Sequence, residues 1–427
     1  MGSYKSIRDF DLAEKRVFVR VDFNVPLLNG ENGKEVGDTT RIQGALETIR
    51  YITERGGKCI LASHLGRPKG TRNPDYSLEP VAAKLSEMLE QEVILTDAPV
   101  GDGARSLSFQ LKGGQVMLLE NLRFDPGEEA NSPDFVAHLA ELCDIYVSDA
   151  FGALHRAHAS TVGLPKITPE KCIGLLVERE LEYLEPLRTK PETPMGIIMG
   201  GAKVSDKLGV LSHFMDKVDR VFIGGAMAYA FLKAKEISIG KSLCADEQVN
   251  LARKILRSAD SRGIKVLLPV DHVTALKFND ADSKEITDGP HIPEDRMGMD
   301  IGPKTVEVFA ESFSTLKTIF WNGPMGVFEN RAFAGGTFGL ARAIANCSAK
   351  KLAGGGDVAA ALEASGVADQ FDFISTGGGA TLEYLEGKVL PGLKVMERSK
   401  QEIESASIRA EEELANAADP NYEGDFH

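Results

Sequence analysis

Short apolar runs rich in β-branched residues alternate along this chain with longer stretches whose apolar positions recur three and four apart. In the first half the runs cover residues 16–22, 58–63, 115–119 and 145–149. In the second half they cover 195–199, 220–223, 265–270, 318–321, 350–353 and 372–376. Between them, residues 41–55, 79–92, 135–142 and 250–262 carry the helical spacing. Runs that are apolar throughout, rather than at every second position, belong to parallel strands covered on both faces. The pattern therefore predicts an α/β fold with doubly wound parallel sheets. Leu175, Leu176, Leu181 and Leu184 recur at helical spacing until Pro191 and Pro194 break the pattern, which predicts a helix over 173–190 joining two domains.

Length agrees with two domains, because 427 residues exceed what one core organises. The net charge of −14 opposes a nucleic-acid partner, whose phosphates need a basic face. No apolar run approaches the roughly 18–20 residues of a membrane span, and the charged first twenty residues hold no apolar stretch of a secretory leader. A cytoplasmic protein is the expectation. Five cysteines without a CxxC pair read as reduced core thiols. Residues 397–427 hold nine acidic and three basic side chains, the mark of a solvated tail.

Ligands of open parallel sheets bind beyond the carboxyl ends of the strands. In the first half those positions hold Asp22, Asn24, His64, Arg67, Arg123, His155 and Arg156. Arginines there suit a small, multiply anionic molecule. In the second half the same positions hold Gly200-Gly201-Ala202-Lys203, Gly224-Gly225, Gly354-Gly355-Gly356-Asp357 and Gly377-Gly378-Gly379. Glycine turns at helix starts let backbone N–H groups reach phosphate oxygens, and Lys203 and Lys207 add charge. One domain thus suits an acidic metabolite and the other a nucleotide, with a cleft that closes to bring the two together. A helix cap remains the plainer reading of Gly224-Gly225 alone. His155 and His158 lack a carboxylate or cysteine partner motif and read as packing or anion-binding groups. Residues 239–242 resemble the end of a Walker A loop, but Lys235 stands where glycine is required.

On these residues the sequence closely resembles the phosphoglycerate kinase family. The matching blocks are Val19-Arg20-Val21-Asp22-Phe23-Asn24-Val25-Pro26, Ser63-His64-Leu65-Gly66-Arg67-Pro68, Glu120-Asn121-Leu122-Arg123-Phe124 and His155-Arg156-Ala157-His158. They continue through Gly200 to Lys207, Trp321-Asn322-Gly323-Pro324, Gly354 to Asp357 and Ser375 to Ala380, in the family's order. The resemblance implies two Rossmann-like domains joined by a hinge helix: 1–172 binding phosphoglycerate, 173–190 between, and 191–387 binding nucleotide. Residues 388–400 would return to the first domain, ahead of the tail 401–427. It further implies reversible phosphoryl transfer between 1,3-bisphosphoglycerate and Mg-ADP, in a monomeric glycolytic enzyme with no membrane partner.

By motif, Asp22, Phe23, Asn24, Arg41, His64, Leu65, Gly66, Arg67, Arg123 and Arg156 would hold phosphoglycerate. Arg41, Lys203, Lys207, Gly377 and Gly378 would act on the transferring group. Lys207, Gly298, Glu329, Gly355, Gly356, Asp357 and Val358 would hold the nucleotide, with Asp357 toward Mg²⁺. Two positions depart from the family pattern: Val358 stands where threonine is usual, and Gly152-Ala153-Leu154-His155-Arg156 replaces Gly-Thr-Ala-His-Arg. Loss of one neutral hydrogen bond at Val358, about 0.5–1.5 kcal/mol, predicts weaker nucleotide binding without loss of activity. The alternatives are a phosphate-ligand-binding pseudoenzyme on the same fold, or a nicotinamide dehydrogenase, whose GxGxxG fingerprint does not follow the first strand.

Overall fold

The structure is a computed structural model, and it describes residues 3–30, 33–202, 204–205 and 207–398. Two compact units emerge: the chain up to Leu181 with the described residues from Leu390 onward, and Glu182–Val389.

The first unit is built on a six-stranded parallel sheet in the spatial order Val93–Leu95, Val116–Leu118, Lys58–Ala62, Arg16–Val21, Ile145–Asp149, Lys171–Ile173. Arg16–Val21 runs down the middle, with Val17 opposite Cys59 on one side and Ile145 on the other. Val17, Phe18, Val19 and Val21 are all buried, so both faces of this strand are covered, as its unbroken apolar run requires. The chain moves to one side for three strands and to the other for the last two. The reversal therefore falls between Arg16–Val21 and Ile145–Asp149.

The second unit repeats the design in the order Lys265–Leu267, Arg220–Ile223, Met195–Met199, Thr318–Asn322, Lys350–Gly354, Phe373–Ser375. In chain order this is 3-2-1-4-5-6, the dinucleotide-fold arrangement, whereas the first unit places its third and fourth strands outside the second. The reversal lies between Met195–Met199 and Thr318–Asn322, whose carboxyl ends lead into Gly200-Gly201 and Gly323-Pro324. A three-stranded antiparallel sheet of Glu285–Ile286, His272–Ala275 and Met297–Ile301 is added to this unit.

The long runs expected as strands are strands: Ile145–Asp149, Met195–Met199 and Arg220–Ile223 match to the residue, and the others differ at their ends by one to three residues where loops take over. Three features differ from expectation. Val93–Leu95 and Lys171–Ile173 are edge strands of three residues, too short to register against their surroundings. The helix expected over 173–190 begins later, at Leu175, and runs to Thr189, because Ile173 pairs with Ser148 and closes the sheet edge. Leu27–Gly30 and Gly33–Val36 form an exposed antiparallel pair with no apolar face to announce it. Past Leu390 the chain runs along the first unit: Gly392 N–H donates to Leu154 O at 2.9 Å and Arg398 N–H to Ser3 O at 2.8 Å.

Candidate active site

In the first unit, the segments leaving four parallel strands converge. Buried Ser63 accepts the Phe23 N–H at 2.8 Å, and Asn24 Oδ1 accepts that of Gly66 at 2.9 Å, which ties the first two segments together. Gly66 has φ +61, and a Cβ there would come within 2.3 Å of the Tyr76 ring, so only glycine makes this turn. Asn121, wholly buried, accepts the N–H groups of Leu65 and Arg123 and donates to Leu65 O and Tyr76 O. That cap fixes the short helical turn Leu122–Phe124 and with it Arg123.

Arg123 is buried, donates from Nη1 to Gly66 O at 2.7 Å, and lies 3.2 Å from the Glu129 carboxylate as an ion pair without hydrogen-bond geometry. Burial and the neighbouring Arg156 lower its pKa. Arg41 sits in the first turn of the helix Thr40–Glu54 and meets Asp22 at 2.7 Å. Arg156 Nε contacts His155 Nε2 at 3.2 Å, and Arg67 is exposed. Phe23 and Leu65 are core side chains, so any contact of theirs with a ligand runs through the backbone. At the centre stands His64, 5% exposed. Burial first, then the charges of Arg20, Arg123, Arg156 and Arg41, push its pKa well below the usual imidazole value.

The second unit holds a cavity of about 350 Å³ beyond its reversal point. Gly298, Glu329 and Asp357 line it, three residues far apart in the chain. Gly298 donates its N–H to Ser242 Oγ at 2.9 Å, and a Cβ there would stand 2.1 Å from the Tyr229 hydroxyl, so the close approach excludes any side chain. Leu243 and Phe278, 85% and 68% exposed, add apolar surface. Gly355 has φ +100 and precedes the helix Gly356–Ser365, whose first intrahelical N–H bond is Ala359 to Gly355 O. The amides of Gly356, Asp357 and Val358 thus open the helix, a ready anion site.

The glycine knots divide into two kinds. Gly200, Gly201 and Gly225 pack against Gly323-Pro324-Met325: Gly200 N–H donates to Asn322 O, Gly201 N–H to Pro324 O and Gly225 N–H to Met325 O, at 2.8, 2.9 and 3.0 Å. These serve close backbone packing, and Gly201 and Gly225 also line the cavity. Gly377 N–H donates to Ser375 Oγ at 3.2 Å, and Gly378 has φ +55 at the start of the helix Gly379–Leu385. Lys207 contacts Asn322 Oδ1, whose amide nitrogen reaches Gly354 O at 2.6 Å. Of the expected nucleotide and transfer residues, Lys207, Gly355, Gly356, Val358, Gly377 and Gly378 do not line the cavity. Val358 is 0% exposed, within the core cluster around Ile198 and Trp321. The expected site residue Lys203 lies outside the described residues.

Sequence reasoning passed over Tyr229 on the cavity wall, for which no local signal exists, and set aside Ser242 with the rejected Walker-like segment 239–242. It also passed over Arg20, whose signal was present: a charged residue inside the apolar run Val17-Phe18-Val19-Arg20-Val21. Among the described residues, no group of three or more His, Cys, Asp or Glu side chains gathers as a cation site, and no helix is long and apolar enough to cross a membrane.

An arginine cluster around buried His64 beyond one parallel sheet, and a glycine-lined cavity with an open helix start beyond another, define an α/β protein of the phosphoryl-handling class. The family model described as phosphoglycerate kinase matches residues 7–388. The chain belongs to the phosphoglycerate kinase family. It is 50% identical over 397 residues to the phosphoglycerate kinase of Anaeromyxobacter sp. (strain Fw109-5), covering 92% of this chain and 99% of that one. It is 52% identical over 399 residues to that of Koribacter versatilis, covering 92% and 98%. The solved phosphoglycerate kinase of Coxiella burnetii superposes with a TM-score of 0.81 at 38% identity, covering 92% of this chain and 98% of that chain. That of Pyrococcus horikoshii OT3 gives 0.82 at 32%, covering 94% and 99%.

Proposed function

We propose that this protein catalyses reversible transfer of the acyl phosphate of 1,3-bisphosphoglycerate to Mg-ADP, giving 3-phosphoglycerate and ATP. The observation that carries the reading is the arginine cluster around buried His64, gathered from four strand ends in a family member with relatives at 50–52% identity. Arg41, Arg67, Arg123 and Arg156 neutralise the phosphoglycerate anion, while Asp22, Asn24 and His64, with the backbone of Phe23, Leu65 and Gly66, fix its orientation. No observation favours a protein that binds these ligands without turnover.

The nucleotide takes the cavity of Gly298 and Glu329, its phosphates reaching the amides that open Gly356–Ser365. Position 358 then acts through its N–H, because its side chain is in the core. Two carboxylates, Glu329 and Asp357, line the cavity, and Asp357 suits Mg²⁺ carried on nucleotide phosphates, which needs only one or two protein carboxylates. The ion would neutralise charge on the transferring group. Lys203, Lys207 and the amides of Gly377 and Gly378 would meet its equatorial oxygens. In the reverse direction the attacking group is a carboxylate, ionised at neutral pH from a pKa of roughly 3.5–4, so no general base is required. Catalysis is then positioning and electrostatics. On this reading the enzyme is a cytoplasmic monomer serving glycolysis and its reversal.

The test is ATP- and Mg²⁺-dependent turnover of 3-phosphoglycerate, coupled to a dehydrogenase that consumes 1,3-bisphosphoglycerate. Turnover of about 1–100 per second is expected. Binding of both ligands by calorimetry without turnover would refute it.

A further inference from the structure

Arg20 stands mid-strand and is 1% exposed, yet its guanidinium is engaged in three directions. Nε donates to Ser160 Oγ at 2.7 Å, Nη1 donates to Val21 O, and Nη2 lies 3.2 Å from His64 Nδ1. A guanidinium has no acceptor, so a hydrogen bond at Nδ1 requires that Nδ1 carry no proton. Ser160, having accepted from Arg20, donates its hydroxyl to Glu128 Oε1 at 2.6 Å, and its N–H goes to Oε2 at 3.0 Å. Both Glu128 oxygens accept, as those of an ionised carboxylate do; burial raises its pKa, and Arg20, the two Ser160 hydrogen bonds and Arg123 oppose that rise. Glu128 is 0% exposed, so its charge sits one hydroxyl away from the buried guanidinium, which would otherwise be uncompensated.

We propose that this buried relay, Glu128 to Ser160 to Arg20, fixes His64 as a neutral imidazole with its proton on Nε2, so that His64 meets phosphoglycerate as a directed hydrogen-bond donor and not as a cation. The proposal rests on the reading above that His64 touches that ligand. Arg20, Ser160 and Glu128 are positioning residues in it. The surroundings agree: the charged groups acting on His64 are Arg20, Arg123, Arg156 and Arg41, all of which oppose an imidazolium. His158 lies 3.9 Å from Glu128, and burial with Arg123 and Arg20 lowers its pKa to about 4, so it competes for the carboxylate only in acid.

The direct test is long-range proton–nitrogen NMR of the histidine-labelled full-length enzyme, with His64 assigned by its disappearance in His64→Gln. Between about pH 5 and 8, where an ordinary histidine titrates, His64 should keep one protonated Nε2 and one bare Nδ1. Adding 3-phosphoglycerate should shift the Nε2 resonance. An Nδ1–H tautomer, or an imidazolium within that range, overturns the proposal without any variant having to fold. Ser160→Ala and Glu128→Gln should mix the two tautomers and raise KM for 3-phosphoglycerate about 3- to 10-fold, the weight of one hydrogen bond, with kcat changed less. Arg20→Lys should restore part of the loss relative to Arg20→Met. Raised KM with the wild-type tautomer intact would mean a merely structural role and overturn the relay. The assigned tautomer with no shift on ligand addition would support the relay while removing His64 from the ligand site, so the two failures are distinguishable.

Discussion

The two units place ligand groups at the same topological position and equip it in opposite ways. In the first, side chains carry the charge, and guanidinium groups have counter-groups: Glu129 beside buried Arg123, Glu128 through Ser160 behind buried Arg20, and Asp22 beside the half-buried Arg41. In the second, Gly298 and Phe278 line an apolar cavity wall and Gly356 opens a helix whose first amides are free to meet an anion. The difference follows the proposed ligands. Phosphoglycerate is small and has no apolar face, so it is held by directed charges, whose burial must be compensated. A nucleotide offers a flat base, and its phosphates can be met by N–H groups at a helix start.

The sharpest break in this comparison is loss of the charges proposed to act on the transferring group. Arg41→Ala and Lys203→Ala should each lower kcat about 10²–10³-fold, the scale of one transition-state donor. The Arg41–Asp22 pair is partly exposed, so its removal should cost only about 0–1 kcal/mol of stability. Steady-state kinetics with urea unfolding of the same samples checks both halves. Near-wild-type turnover in either variant would remove that residue from the chemistry.

Next come the glycines, which the sequence presents as equivalent and the structure separates. A Cβ on Gly200 would stand 2.2 Å from Pro324 O, a backbone atom that cannot swing aside. Gly200→Ala should therefore cost about 1–3 kcal/mol or more. Gly356 has nothing within 4 Å of its ideal Cβ. Gly356→Ala should leave stability within about 0.5 kcal/mol while raising KM for the nucleotide. Equal destabilisation of the two would erase the distinction between packing and ligand glycines.

A pH series compares buried carboxylates of the two units. Burial raises Asp149 to about 7 and Asp300 to about 8, against hydrogen bonds from Thr48 and from the Gly336 N–H respectively. Their unfolded values lie near 3.9, so between that pH and the folded pKa the native state binds the extra proton. Stability relative to Asp149→Asn should thus be greatest below about pH 4 and decline until about pH 7. For Asp300→Asn the decline should continue to about pH 8. At about 1.36 kcal/mol per pH unit the difference should span up to about 4 kcal/mol for Asp149 and about 5–6 kcal/mol for Asp300, read from urea midpoints of wild type and variant across pH. A difference that rises with pH would show that the carboxyl is ionised in the folded protein.

Much of this was legible in one dimension because both sheets are parallel and doubly covered. Apolar runs marked the strands, and the residues just after them, Asp22, His64, Arg123 and Gly355, are where the chain turns outward. What stayed hidden depended on contacts between distant segments. Val93–Leu95 becomes a strand only by pairing with Val116–Leu118. Ser160 and Glu128 matter only because folding brings them under Arg20. Gly200 and Gly356 look alike until Pro324 is placed against one of them.

Val358 gives the finest test, because sequence and structure assign its side chain to different sides. Read from sequence, valine removes a hydroxyl from a nucleotide phosphate, and Val358→Thr should tighten binding. In the fold the side chain is wholly buried with Ile198, Trp321 and Leu362, while only the backbone N–H belongs to the helix start. Threonine is nearly isosteric, so no cavity or clash arises, but its hydroxyl must be desolvated. Mutational data put that cost at about 1–3 kcal/mol without a hydrogen-bond partner. A bond to the Gly355 carbonyl one turn back would bring it toward the lower end. The expected outcome is a stability loss of about 1 kcal/mol with KM for ADP changed less than about twofold. A threefold or larger fall in KM at unchanged stability would instead place the hydroxyl on the nucleotide, and the second unit would then share the side-chain strategy of the first.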